Sequence, residues 1–167
     1  MPLEPQRVLM TFHLADTVAA LPVEHVEIVA PMAQLARPPG LPWPLEGILN
    51  LAGKAVPVLR LGWLLQLPVR DPGLYSMLVV LKGLPDARLA LLVDRVIEVL
   101  TIPASALLPV ARDESFHACS EAAVLVRGQI VHLLSPSQIL LEKELEIISE
   151  FRATEQRRLE SWEPGRA

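Results

Sequence analysis

The sequence predicts a mainly β protein, about nine or ten short strands followed by one helix at the C-terminal end. Three observations predict it. The apolar runs are short, rich in Leu and β-branched residues, and separated by many of the 16 prolines in 167 residues. Gly-containing gaps at Ala52-Gly53-Lys54 and Arg127-Gly128 each lie between two such runs, which is the signature of a hairpin. From Ser135 the pattern changes from short extended runs to helical spacing.

In chain order, residues 7–14 read as a strand, Ala15-Asp16 as a turn and 17–21 as a second strand. Residues 23–29 begin as a helical turn behind Pro22 and then extend. Residues 37–44 hold four prolines and one glycine and read as a loop. Runs 46–51 and 55–61 form the first hairpin; Pro57 marks the second run as an edge or bulged strand, because proline cannot donate to a ladder. A short helical turn fits 62–66. Strands follow at 76–82 and 89–100, joined by the turn Gly83-Leu84-Pro85-Asp86, with Asp94-Arg95 interrupting the later run. Residues 103–108 read as a helical turn, 112–120 as a polar loop, and 122–126 with 129–134 as the second hairpin. Ser135, Pro136 and Gln138 supply an N-cap, a first-turn proline and a capping-box partner for a helix running to about Trp162, before Pro164-Gly165.

Composition narrows the function. Half the residues are hydrophobic (51%) but only 4% aromatic, so aliphatic side chains must fill the interior. A net charge of −4 without a basic block argues against nucleic acid, whose phosphates need clustered Lys and Arg. A single cysteine, Cys119, excludes an internal disulfide and fits a reducing compartment. Residues 1–8 lack the charged start and apolar run of a secretory signal, and no apolar stretch reaches the about 20 residues of a membrane helix. The expectation is a cytoplasmic protein with no direct membrane insertion.

No catalytic constellation is visible. His117 and Cys119, two apart in a loop, read as an ordinary loop histidine and a half-buried cysteine ahead of a nucleophile and base. His13, His25 and His132 are isolated among apolar residues. There is no HxxxH, CxxC, GxSxG or phosphate-binding glycine loop. The expectation is no enzyme activity, no metal and no cofactor. A strand-rich domain without such groups reads as a binding module.

Two stretches carry a family likeness. Residues 45–61, with Gly47, Asn50-Leu51-Ala52-Gly53 and Pro57, resemble the CheW pattern of a glycine, an apolar strand, Asn-Leu-Arg-Gly and a second apolar strand. Residues 91–100, with Val93-Asp94 followed by Val96 and Val99, resemble the same family's Val-Asp-x-Val-x-x-Val segment. Weaker echoes at 12–28, 102–109 and 131–140 keep the family's order, so the likeness spans about residues 7–141.

The resemblance implies two five-stranded SH3-like β-barrels with a C-terminal α-helix. One barrel would span about 16–67 and the other about 77–134, completed by strand 7–14; the whole domain would cover 1–151 and the helix 135–163. It also implies a non-enzymatic adaptor. Its partners would be the regulatory domain of a CheA-type histidine kinase and the cytoplasmic tip of a methyl-accepting chemoreceptor, the latter in an apolar groove between the barrels. The groove positions would be Val26, Ile28, Gly47, Ala52, Met77 and Val99. The alternatives are a divergent paralogue binding only a kinase or another protein, and an unrelated small β-barrel binding protein.

The sequence departs from the family at three places. Ala52 stands where the family has Arg, Ile28 where it has an acid, and Arg60 where it closes with Asp. The Arg and acid look like an ion pair in the family, and losing both together is cheaper than stranding one. Glu27 is one residue out of register and points to the opposite face of its strand. In the final helix Leu141, Leu145, Ile147, Ile148 and Phe151 form an apolar face, whereas 152–163 is mostly charged. There Leu159 and Trp162 are the candidate anchors to another subunit or the kinase, so oligomerisation through the helix is an open expectation.

Overall fold

The computed structural model describes residues 3–68, 71–82, 88–110, 120–140 and 142–161. Among the described residues, eleven strands form two sheets. They are β1 Gln6–Leu14, β2 Thr17–Pro22, β3 Val26–Pro31, β4 Leu45–Leu51, β5 Lys54–Arg60, β6 Met77–Leu81, β7 Leu89–Val93, β8 Arg95–Pro103, β9 Leu108–Pro109, β10 Ser120–Val126 and β11 Gln129–Leu134. Helix α1 is the short Leu61–Leu64, and α2 is Glu142–Ser161. The predicted fold class, mainly β with two barrel-like sheets and a C-terminal helix, is what the structure has.

One sheet has five strands in the order β3-β6-β7-β5-β4; the other has six, β8-β1-β2-β11-β10-β9. This division differs from the boundaries 16–67 and 77–134 expected from the sequence. β2 joins the six-stranded sheet with β1, and β6 and β7 join the five-stranded one. The physical reason lies at Asp94. β7 runs parallel to β5, the chain bends at Asp94, and β8 continues against β1 in the other sheet. The Asp94 carboxylate accepts the N–H of Ala15 at 2.6 Å, and the Asp94 N–H donates to the His13 carbonyl at 3.0 Å. The sheet switch is thereby tied to the β1–β2 turn, where Ala15 takes a positive φ of 53°.

Three cores follow from the two-residue period of the strands. Val18, Ala20, Val124, Val131 and Leu133 fill the six-stranded barrel. Val56, Val58, Leu78, Val80, Ala90 and Leu92 fill the five-stranded barrel. The alternate residues of the same strands meet between the sheets: Met10, Phe12, Ala19, Leu21, Val79, Leu81, Leu91 and Val93. β2, β6 and β7 are therefore buried on both faces, which explains why their sequences are apolar runs without alternation.

Local devices match the sequence well. Ala52-Gly53 and Arg127-Gly128 both take positive φ at both positions (50° and 84°, 48° and 78°), the geometry of a two-residue type I′ hairpin. The turn Val23–His25 precedes β3, and a turn at Ala104–Ala106 follows β8. Pro57 lies opposite Ile48, and the parallel partner β7 begins only at Val58. Its missing N–H therefore falls where no neighbour asks for one.

Two expectations change. The Ser135-Pro136 signal opens a separate 3₁₀ turn, Pro136–Gln138, with no side-chain cap, and α2 begins at Glu142. The turn lets Ile139 drop into the inter-barrel core, where Ile148 of α2 joins it. Ile147, counted in the apolar face of the helix, is instead 48% exposed. Leu141 and the turn at 83–86 lie outside the described residues.

Gly47 closes the five-stranded barrel. After β3 the chain crosses to β4, where Ala36 and Ile48 exchange backbone hydrogen bonds of 2.9 and 2.8 Å. A Cβ on Gly47 would lie 2.7 Å from the Leu35 Cβ and 2.8 Å from the Ala36 carbonyl oxygen. Gly47→Ala is expected to cost about 1–3 kcal/mol as this crossing is pushed apart. Urea denaturation of the two proteins checks it, and an unchanged midpoint would contradict the closure.

Candidate protein-binding face between the barrels

The inter-barrel core reaches the surface along two strips. Directly opposed residues of an antiparallel pair point to one face. In the six-stranded sheet Val99 is opposite Met10, and Thr101 is opposite Val8. Met10 is buried in the inter-barrel core, whereas Val99 is 60% exposed and Val8 36%. In the five-stranded sheet Val29 is opposite Val79, and Pro31 is opposite Met77. Val79 is fully buried in the same core, Val29 is 36% exposed, and Met77 and Val26 are partly buried against it. An apolar surface thus continues outward from the seam on both sheets.

Of the six groove positions read from the sequence, Val26 and Met77 take the inter-barrel side of the five-stranded sheet and Val99 that of the six-stranded sheet. A bulge between Val26 and Ile28 leaves Glu27 unpaired and puts Ile28 opposite Val80, whose side chain fills the barrel interior. Val29, which the sequence reading did not single out, takes the inter-barrel side. Only the bulge decides between the two, and no local residue pattern announces it. Glu27 instead pairs with Arg88 at 3.1 Å. Gly47 is buried beneath Leu35 and Ala36, so the space above it is filled by its own chain. Ala52 is exposed at the tip of the β4–β5 hairpin, where the Gly53 N–H donates to the Asn50 side chain at 2.9 Å.

Arg60, read as unusual surface chemistry, is only 7% exposed. The β4 register slips between Leu45 and Gly47, and the intervening Glu46, 5% exposed, turns inward. Its Oε2 accepts from Arg60 Nη1 at 3.1 Å, and its Oε1 from Arg37 Nη2 at 2.6 Å. The Arg60 guanidinium also lies 4.3 Å from the centre of the half-exposed Trp63 ring. Both charges were visible as breaks in apolar runs, but their mutual approach depends on the bulge.

The charged end of α2 does not stand off in solvent. Leu159 is partly buried and lines a cleft with Ala36, Ile48, Leu49 and Ala55 of its own chain. Gln156, absent from the sequence reading, bonds the β4–β5 hairpin by its side-chain amide. Trp162, His117 and Cys119 lie outside the described residues. Among the described residues there is no group of three or more His, Cys, Asp or Glu suited to a metal ion, and no helix long and apolar enough to cross a membrane.

Two small barrels joined by a shared inter-barrel core, with a C-terminal helix, define the class of fold. Residues 8–144 match the CheW-like domain, and the chain belongs to that family. Over 134 residues it is 25% identical to "Chemotaxis protein CheW" of Thermotoga maritima, covering 80% of this chain and 87% of that protein. The crystal structure of scaffolding protein TtCheW from Thermoanaerobacter tengcongensis shares the fold, with a TM-score of 0.72 at 23% identity over 81% of this chain and 87% of that one.

Two outcomes follow for the polar interior. Glu46→Ala is expected to cost about 3–5 kcal/mol, because Arg60 stays buried without its nearest carboxylate. The double change Glu46→Leu, Arg60→Met should recover much of that loss. Denaturation midpoints of the three proteins decide it; equal stability of Glu46→Ala and wild type would show that the pair contributes nothing. Burial also lowers the pKa of His132 below its ordinary 6.5. As pH falls from that value through the lowered one, the unfolded chain takes up the proton first, so stability declines. His132→Gln should remove this part of the acid-side loss, read by urea melts at about pH 7.5 and about pH 5.5.

Proposed function

We propose that this chain is a non-enzymatic cytoplasmic adaptor that couples a chemoreceptor to a CheA-type histidine kinase. The receptor's helical cytoplasmic tip would lie on the inter-barrel face, and the kinase's regulatory domain would bind at a barrel end. The observation that carries the reading is Val99. It is 60% exposed on the face where its cross-strand partner Met10 is buried in the core. An apolar side chain left uncovered beside the seam is suited to the apolar face of an amphipathic helix. Membership of the CheW-like family supports the same assignment. The exposed Ala52-Gly53 hairpin belongs to the partner-facing surface in this reading, with a small residue in place of the family's arginine.

The alternative of a paralogue that binds only a kinase differs in one observable. Val99→Asp should weaken binding of a purified receptor cytoplasmic fragment at least about tenfold. Its thermal melt should stay near wild type, because Val99 is not in the core, and binding of the kinase regulatory domain should persist. Full receptor affinity in Val99→Asp would remove the inter-barrel face from the function. No receptor binding by the wild type, with kinase binding intact, would favour the paralogue.

A further inference from the structure

The end of α2 lies beyond residues 8–144, the part of the chain that matches the family. Its attachment to the body has an unusual form. The Gln156 Oε1 accepts the Ala55 N–H at 2.7 Å, and its Nε2 donates to the Gly53 carbonyl at 3.1 Å. Those two backbone groups flank Lys54 at the start of β5. They are the groups that one residue of a parallel neighbouring strand would take. β7 is such a neighbour to β5, but only at Val58–Arg60. The Gln156 amide therefore stands in for a strand where the sheet stops.

Beyond this clamp, residues 152–155 and Leu159 pack only partly against the body. No described residue from Arg152 to Ser161 is buried. A cleft of about 260 Å³ remains beneath it, between Leu159 and the apolar surface of Ala36, Ile48, Leu49 and Ala55. The ion pair Glu155–Arg158 and the contact of Gln156 with Glu160 are internal to the helix, although the Glu155 side chain is itself largely covered. The preceding part of α2 differs, with Ile148 3% exposed in the inter-barrel core and Phe151 packed against it. The helix is anchored at one end and held by a polar clamp at the other.

We propose that residues 152–161 form a cis-acting strap that closes on the β4–β5 hairpin through Gln156 and opens independently of the barrels. While closed, it covers the flank of that hairpin at the Ala55 N–H and the Gly53 carbonyl, next to the exposed Ala52, and so narrows the surface a partner can reach. The second statement rests on the reading above, in which this hairpin is part of the receptor-facing surface. The first does not. Opening uncovers the Ala55 N–H, the Gly53 carbonyl and the apolar floor of the cleft together.

Amide exchange in the full-length protein tests the strap directly. The Ala55 amide and the amides of residues 152–161 should exchange together, well before those of Val79 and Leu91 in the core. Gln156→Ala should speed Ala55 exchange about tenfold, since two hydrogen bonds are lost, while core exchange stays unchanged. The same variant should bind the receptor cytoplasmic fragment several-fold more tightly. Ala55 exchanging only with global unfolding, or at an unaltered rate in Gln156→Ala, would overturn the strap. Faster exchange with unaltered receptor affinity would overturn its covering role. Failure of the receptor reading looks different: Val99→Asp would then leave receptor binding intact, and the exchange signature of the strap would stand.

Discussion

Strands β2, β6 and β7 bury both of their faces, and the rest of the molecule is arranged around that constraint. A small barrel needs one inward face per strand. Here the outward faces of these strands are also withdrawn from water, because the two barrels press together along them. At about 25 cal/mol per Å² of apolar surface, the shared seam is a large favourable term. The two barrels consequently share a buried core and are not two beads on a linker. The Asp94 bend makes this possible, since it carries one continuous run of chain from the five-stranded sheet into the six-stranded sheet.

The candidate binding face is a by-product of the same seam. Where the sheets diverge, residues that keep the inward phase of the strand no longer have a partner sheet above them. Val99, Val8 and Val29 share their phase with buried core residues but are left partly open. The face is held rigidly because its neighbours Met10 and Val79 are locked in the core. A partner helix would meet a prepared surface and would not have to order a loop first.

Charge is handled differently at β4 and β5 of the five-stranded barrel. The Glu46 bulge directs a carboxylate inward, and Arg60 and Arg37 both answer it. The buried Glu46–Arg60 pair adds little net stability beyond an apolar replacement, although removing one partner alone is costly. The family's arginine has gone from the hairpin tip, where Ala52 instead fills a left-handed turn position. Neither change disturbs the seam, which is why the fold persists through an altered surface.

Much of this was legible in the sequence because it is local. Short apolar runs, Ala52-Gly53 and Arg127-Gly128, the turn before Val26 and the proline in β5 each signal their structure within a few residues. The family motifs supplied the two-barrel class, and the scarcity of aromatic residues showed that aliphatic side chains fill the interior. What the sequence could not decide is which sheet each strand joins and which face each rim residue takes. Continuous apolar runs such as 77–81 and 89–93 fit either barrel, because both faces are equally apolar. The bulges at Glu27 and Glu46 shift the phase by one residue, so Ile28 and Val29 exchange faces and Glu46 turns inward to Arg60. The room over Gly47 is filled by Leu35, twelve residues earlier in the chain, and Gln156 finds Ala55 across 101 residues. These contacts arise from closure of the barrels and docking of the helix; only the assembled tertiary structure brings the participating groups together.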